Sequence, residues 1–206
     1  DAARDGPEIT VKCRIGVDDQ DPAAVLPEFI DTVAARGVSR FAVHARKAWL
    51  QGLSPKENRT IPPLDYDLVR QVKQDRPDLH LSLNGGIETL AEAEAHLSDF
   101  DGVMIGRAAY HDPAGILAGA DRQIYGVAKQ DVDPVAAVMS MYDYIEGELA
   151  VGTRLHQITR HMLGAFAGRP GARKWRRYLS EHAHLPGAGL EVVEAALDQV
   201  APARAA

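Results

Sequence analysis

The feature that most restricts how this chain can fold is an alternation. Four short β-type runs, Ile9–Ile15 (ITVKCRI), Arg40–Ala45 (RFAVHA), Leu79–Leu83 (LHLSL) and Gly102–Ile105 (GVMI), each end in polar or Gly-rich residues. Each leads towards a helical pattern, at Pro22–Arg36, Asp65–Asp75, Glu88–Leu97 and Ala108–Ala118. Asp21-Pro22 is a helix-opening pair and Gly37 a helix-closing residue. Strands that alternate with helices make parallel βαβ units, with helices covering the sheet. Four units satisfy half of a (β/α)8 barrel or part of an open doubly wound sheet, and the pattern leaves both open.

After Tyr125 the alternation stops. Stretches 133–150, 153–167, 172–182 and 190–200 read as four helices separated by Gly and Pro signals, which predicts a partial barrel over 1–125 and a helical domain over 126–206. The charge is uneven: the chain is −6 overall, but 151–180 holds seven basic residues and no acidic one, so the remainder is −13. An acidic body with one basic helical patch points to a polyanionic partner; a merely solvated face is the alternative.

Composition closes off other classes. With 46% hydrophobic residues the chain has enough apolar material to offset its conformational entropy, which excludes disorder as its main state. No apolar run approaches the roughly 18 residues that span a bilayer. One cysteine, Cys13, excludes an internal disulfide and any zinc site with two thiolates. A lone thiol and the lack of a signal-peptide pattern give the expectation of a cytoplasmic protein.

Between the second β-run and its helix lie about 20 residues, RKAWLQGLSPKENRTIPPL, with three prolines and no sustained period. A loop that long in a compact domain is functional or disordered, and it leaves the carboxyl end of a parallel strand, where active sites of such folds gather. The strand ends carry Lys12 with Arg14, His44 with Arg46, Asn84-Gly85-Gly86, and Gly106-Arg107. The last two signatures fit a phosphate cradle, since glycines admit an anion to the backbone and Arg107 adds a charged fork, although a tight turn explains Gly-Gly alone equally well. Lys12 within an apolar run requires an anionic partner, unless it snorkels to solvent. His44 is equally readable as a core histidine. Cys13 alternates with Lys12 and so faces the other side, as a packed small hydrophobe.

VKCRIGVDD (11–19), VHARKAWLQGLSPKENRTIPPLDY (43–66), LNGGI (83–87), GVMIGRAAYHDP (102–113) and HMLGAFAGRPGARKWRRYLSEHAH (161–184) together resemble tRNA-dihydrouridine synthases of the A type. The resemblance runs from the first strand to about His184, and the long loop is its most specific part. It implies an α/β fold, the second half of a (β/α)8 TIM-type barrel followed by an all-α helical bundle that binds tRNA. It also implies FMN as cofactor, NADPH as reductant, and reduction of the C5–C6 bond of D-loop uridines. Lys12 and His44 match flavin-contacting positions, Asn84, Gly85 and Gly86 the flavin-phosphate segment, and Gly106 and Arg107 the Gly-Arg pair. Lys56, Arg59, Arg173 and Arg176 resemble tRNA-contacting positions. No metal or membrane is implied, and the full-length protein is expected to be a monomer.

The sequence departs from that family in one respect. Four β-runs are present where a barrel needs eight, and the Pro-Met flavin segment, a flavin-contacting Gln and the cysteine that protonates C5 have no counterpart here; Cys13 does not match that cysteine. The chain therefore reads as a carboxyl-terminal portion without the catalytic cysteine, and half a barrel wall is expected to leave two open sheet edges and an exposed apolar interior. An inactive fragment serving only as a tRNA-binding module is the alternative. A half-barrel enzyme of another class, binding a phosphate ligand without RNA, fits the basic stretch and the SPKENR loop less well.

Overall fold

The computed structural model describes residues 6–200. They form two compact units: the first runs through Ile87 and resumes over Ala91–Ile105, and the second takes Glu88–Leu90 and continues from Gly106. Residues 106–125, grouped by sequence pattern with the strands, thus make their contacts within the second unit.

The first unit is a four-stranded parallel sheet in the order β1 (Thr10–Arg14), β2 (Arg40–His44), β3 (His80–Asn84), β4 (Gly102–Met104). Its helices are α1 (Pro22–Ala34), α2 (Tyr66–Asp75) and α3 (Leu90–His96), the last beginning at the boundary between units. Local chemistry sets where helices begin. The Asp21 carboxylate accepts the Ala23 amide at 3.0 Å with Pro22 in the first turn, and Asp65 accepts the Leu68 amide at 2.9 Å.

Register decides what each face of the sheet carries. Val11, Phe41 and Leu81 lie side by side, as do Cys13, Val43, Leu83 and Val103. Phe41, Val43, Leu81 and Leu83 are buried, and Leu26 and Ile30 of α1 with Val69 and Val72 of α2 complete this apolar layer. The opposite face carries the rows Lys12–Ala42–Ser82–Gly102 and Arg14–His44–Asn84–Met104. That face is mostly polar, which corrects the expectation of an exposed apolar interior: the strand pattern alternates, and the covered side takes the hydrophobes.

Ion pairs tie the layers together. Arg76 grips Asp31 with two nitrogens, at 2.6 and 2.7 Å, joining the end of α2 to α1. Lys73 bonds Asp101 at 2.8 Å and donates to the carbonyls of Pro77 and Leu79, while Asp101 also accepts the Leu81 amide at 2.9 Å. Burial alone would raise the Asp101 carboxyl, but the Lys73 and Leu81 hydrogen bonds outweigh it and hold the group below its ordinary value.

The second unit contains α4 (Arg107–His111), α5 (Pro113–Ile116), α6 (Ala120–Gln123), α7 (Pro134–Met139), α8 (Tyr142–Ala150), α9 (Leu155–Thr159), α10 (Ala172–His182) and α11 (Leu190–Leu197). Val138, Ile145, Leu155, Phe166, Trp175, Leu179 and Val193 share one core. Trp175 is fully buried, meets Phe166 edge-on at 5.0 Å, and donates its indole N–H to the Met162 carbonyl at 3.2 Å. Three predicted helices are divided or cut to a third of their expected length. The stretch 108–118 divides at Pro113, which has no N–H, with Asp112 capping the new helix through Gly115. The stretch 133–150 breaks at Ser140–Met141 into α7 and α8. In 153–167 only Leu155–Thr159 is helical, and turns follow.

Candidate functional site

The strongest concentration of chemistry in the first unit is the Arg14–His44–Asn84 row at the carboxyl ends of β1, β2 and β3, with Lys12 one row behind. These residues share a face because strand residues two apart point the same way and the strands are in register. Lys12 is exposed, yet partial desolvation and then the neighbouring Arg14 charge lower its pKa from the usual lysine value. Cys13 points into the packed side, and burial pushes its thiol up to about 11. It is a protonated packing group, as its place in the alternation predicts.

His44 is buried, at 8% exposure, and backs onto the Gly85–Gly86 turn. Both glycines have positive φ, 111° and 73°. A Cβ on Gly85 would lie 2.8 Å from His44 Nε2, and one on Gly86 would lie 2.6 Å from Leu64 Cδ1. The turn thus requires glycine twice, for conformation and for space. Tyr66 fixes it by donating its hydroxyl to the Gly85 carbonyl at 2.5 Å, and burial raises the Tyr66 pKa. The Asn84 side chain donates to the Met104 carbonyl at 2.6 Å, so Asn84 also fastens the end of β4. Gly106 and Arg107 lie in the second unit, at the start of α4, a helix of five residues.

The long loop is a fixed structure. Arg14 donates to the carbonyls of Lys47, at 2.8 Å, and Asn58, at 2.9 Å. Arg46 donates to the Pro62 carbonyl. Asn58 accepts the Trp49 amide at 2.7 Å and donates to the Trp49 carbonyl at 2.7 Å. Glu57 accepts the Ser54 amide at 2.8 Å beside the 3-10 turn Glu57–Arg59. Lys56 and Arg59 stand exposed on that turn. Desolvation and then the charges of Arg59 and Arg46 lower the pKa of Arg14.

Asn58, Tyr66 and the clamping role of Arg14 were not read from the sequence. Arg14 and Arg46 were visible as strand-end cations, but Asn58 gives no periodic or spacing signal, because its partners are backbone groups of a non-repeating loop.

In the second unit, α10 buries Ala172, Trp175 and Leu179 and exposes Arg173, Lys174, Arg176 and Arg177. The spacing of three and four puts the apolar set on one stripe and leaves the cations on the other. Arg154, Arg160 and Arg169 are exposed as well, so all seven basic residues of 151–180 reach solvent. Arg177 lies 3.8 Å from Glu181. Among the described residues, no group of three or more His, Cys, Asp or Glu could hold a metal, and no helix is long and apolar enough to cross a membrane.

Comparison with known proteins adds a family. The model of the dihydrouridine synthase family matches residues 3–201. A tRNA-dihydrouridine(20/20a) synthase of Escherichia coli K12 is 60% identical over 197 residues, covering 95% of this chain and 57% of the relative. The protein of that name from Salmonella typhimurium is 60% identical over 197 residues, covering 95% of this chain and 59% of the relative. The one from Shewanella oneidensis is 57% identical over 192 residues, covering 93% and 57% respectively. The chain therefore spans somewhat more than half the length of these curated relatives.

Proposed function

Because this chain belongs to the dihydrouridine synthase family, we propose that it is the carboxyl-terminal portion of an FMN-dependent enzyme that reduces the C5–C6 bond of D-loop uridines in tRNA, with NADPH as reductant. In this reading the parallel sheet is the second half of a (β/α)8 barrel, and the helices from α7 onward form the tRNA-binding bundle. The observation that carries the reading is the polar sheet face. Lys12, Arg14, His44 and Asn84 share it, and it ends on a turn, Gly85–Gly86, that requires glycine at both positions and leaves Gly86 exposed. A flavin mononucleotide, a planar ring with a phosphate, suits such a face of cations beside a close-approach backbone.

When bound, FMN would supply the hydride. Lys12 and His44 would set positive charge and a hydrogen-bonding ring beside the place where negative charge develops in the reduced flavin. By sequence resemblance, Asn84, Gly85 and Gly86 in the first unit, and separately Gly106 and Arg107 in the second, match phosphate-holding segments. Lys56 and Arg59 on the loop and Arg173 and Arg176 on α10 would take tRNA phosphates, and a uridine inside folded tRNA must leave its stack to be reduced. The cysteine that protonates C5 is not among these residues.

Dihydrouridine formed in tRNA by the chain alone, and by the chain co-expressed with the upstream half of a relative, tests the proposal. Product should form only in the second case, while the chain alone binds tRNA. Product from the chain alone would overturn the fragment reading, and a chain that does not bind tRNA would overturn the RNA reading.

A further inference from the structure

The turn 47–50 combines two properties that seldom coincide, a pinned backbone and unburied apolar side chains. Asn58 holds both backbone groups of Trp49 at 2.7 Å. On one side, the Ala48 amide donates to Gly16 at 2.9 Å and its carbonyl accepts the Asp18 amide at 2.7 Å, pairing the turn with Val17 in a parallel bridge. On the other, Asp18 accepts the Leu50 amide at 2.8 Å, with Asp18 itself at a φ of 47°. Arg14 donates to the carbonyls of Lys47 and Asn58. Yet Trp49 is 36% exposed and Leu50 72% exposed. The main chain is fixed so that the indole is displayed.

The surroundings of the indole indicate what it is displayed to. Lys47 Nζ lies 5.3 Å from the ring centroid, a cation–π distance. The segment 46–59 carries Arg46, Lys47, Lys56 and Arg59 against Glu57 alone, and Glu57 is engaged by Ser54. An apolar partner would not favour this density of positive charge. An aromatic ring among cations is the combination that takes a nucleobase on the ring and its phosphates on the cations.

We infer that Trp49 is a stacking platform for an unpaired nucleobase of the bound RNA, with Lys47 holding the indole and adding charge beside it. The inference rests on the RNA-binding reading above and gives it a residue that determines base contact.

Binding of labelled tRNA to the full chain and to its Trp49→Phe and Trp49→Leu variants tests it, after melting curves confirm equal folding. Trp49→Leu should lose about 5–150-fold in affinity, the range that one base–aromatic stack provides. Trp49→Phe should keep most of it. The dependence of log K on log salt should be the same in all three, because no cation is removed. In the parent chain tRNA should quench the Trp49 emission, with buried Trp175 unaffected. A Trp49→Leu chain that binds within twofold of the parent, or equal losses for Phe and Leu, would overturn the inference and leave tRNA binding standing. A parent chain with no measurable tRNA affinity would overturn both.

Discussion

Lys12 and Cys13 are neighbours that the pleat of β1 sends to opposite sides of the sheet, and each can be tested alone. On the polar side, Lys12→Met keeps the stem and deletes the charge. If the chain completes an FMN-binding barrel as proposed, the midpoint potential should fall, because the reduced, anionic ring loses a partner; redox titration against a reference dye reads it, and an unchanged potential with FMN still bound would make Lys12 a structural lysine. On the packed side, Cys13 has its pKa raised from 9.0 to about 11. The fold prefers the protonated thiol, so stability is unaffected below about pH 9 and declines as the unfolded chain ionises first. The loss should grow between about pH 9 and 11, level off above pH 11 at no more than roughly 3 kcal/mol, and be absent from Cys13→Ala, as urea melts at pH 8 and pH 10.5 would show. At pH 8 iodoacetamide should alkylate the folded chain far more slowly than the unfolded chain. The opposite facing of these residues was legible from alternation. The Arg14 and Asn58 clamps were not, since a bond from a side chain to a distant carbonyl leaves no period behind.

At the scale of elements, α10 divides its labour by face. Its buried stripe of Ala172, Trp175 and Leu179 anchors it in the core, and its cations cost the fold nothing because they stay in water. Arg173→Ala with Arg176→Ala should therefore leave thermal stability unchanged and, on the proposed function, FMN content as well. It should weaken tRNA binding and flatten the plot of log K against log salt by about one to two; filter binding at four salt concentrations measures this, and an unaltered slope would reduce the patch to a solvated face. The four strands and this helix were readable because their periods run uninterrupted for several residues. The stretch 153–167 was not, because helix continues past Thr159 only as turns. At Gly164 a Cβ would lie 2.5 Å from the His111 carbonyl, so that segment is shaped by a contact from far along the chain. Likewise Pro113 broke a helix whose hydrophobic pattern ran through it.

Across the whole molecule, β1 pairs with β2 and β4 with β3, and among the described residues neither edge strand pairs on its other side. Protection of the backbone is therefore graded from the middle of the sheet outward. In deuterated water the amides of β2 and β3 should label last, while on β1 and β4 those that point outward should label within the dead time of a manual experiment. If an upstream barrel half docks on these two edges, the outward amides acquire partners and their uptake should slow at both edges together. Slowing at one edge alone would mean that a strand has been added without closing a ring. Isotope uptake at two short peptides, one from each edge, thus becomes a gauge of closure that needs neither flavin nor RNA.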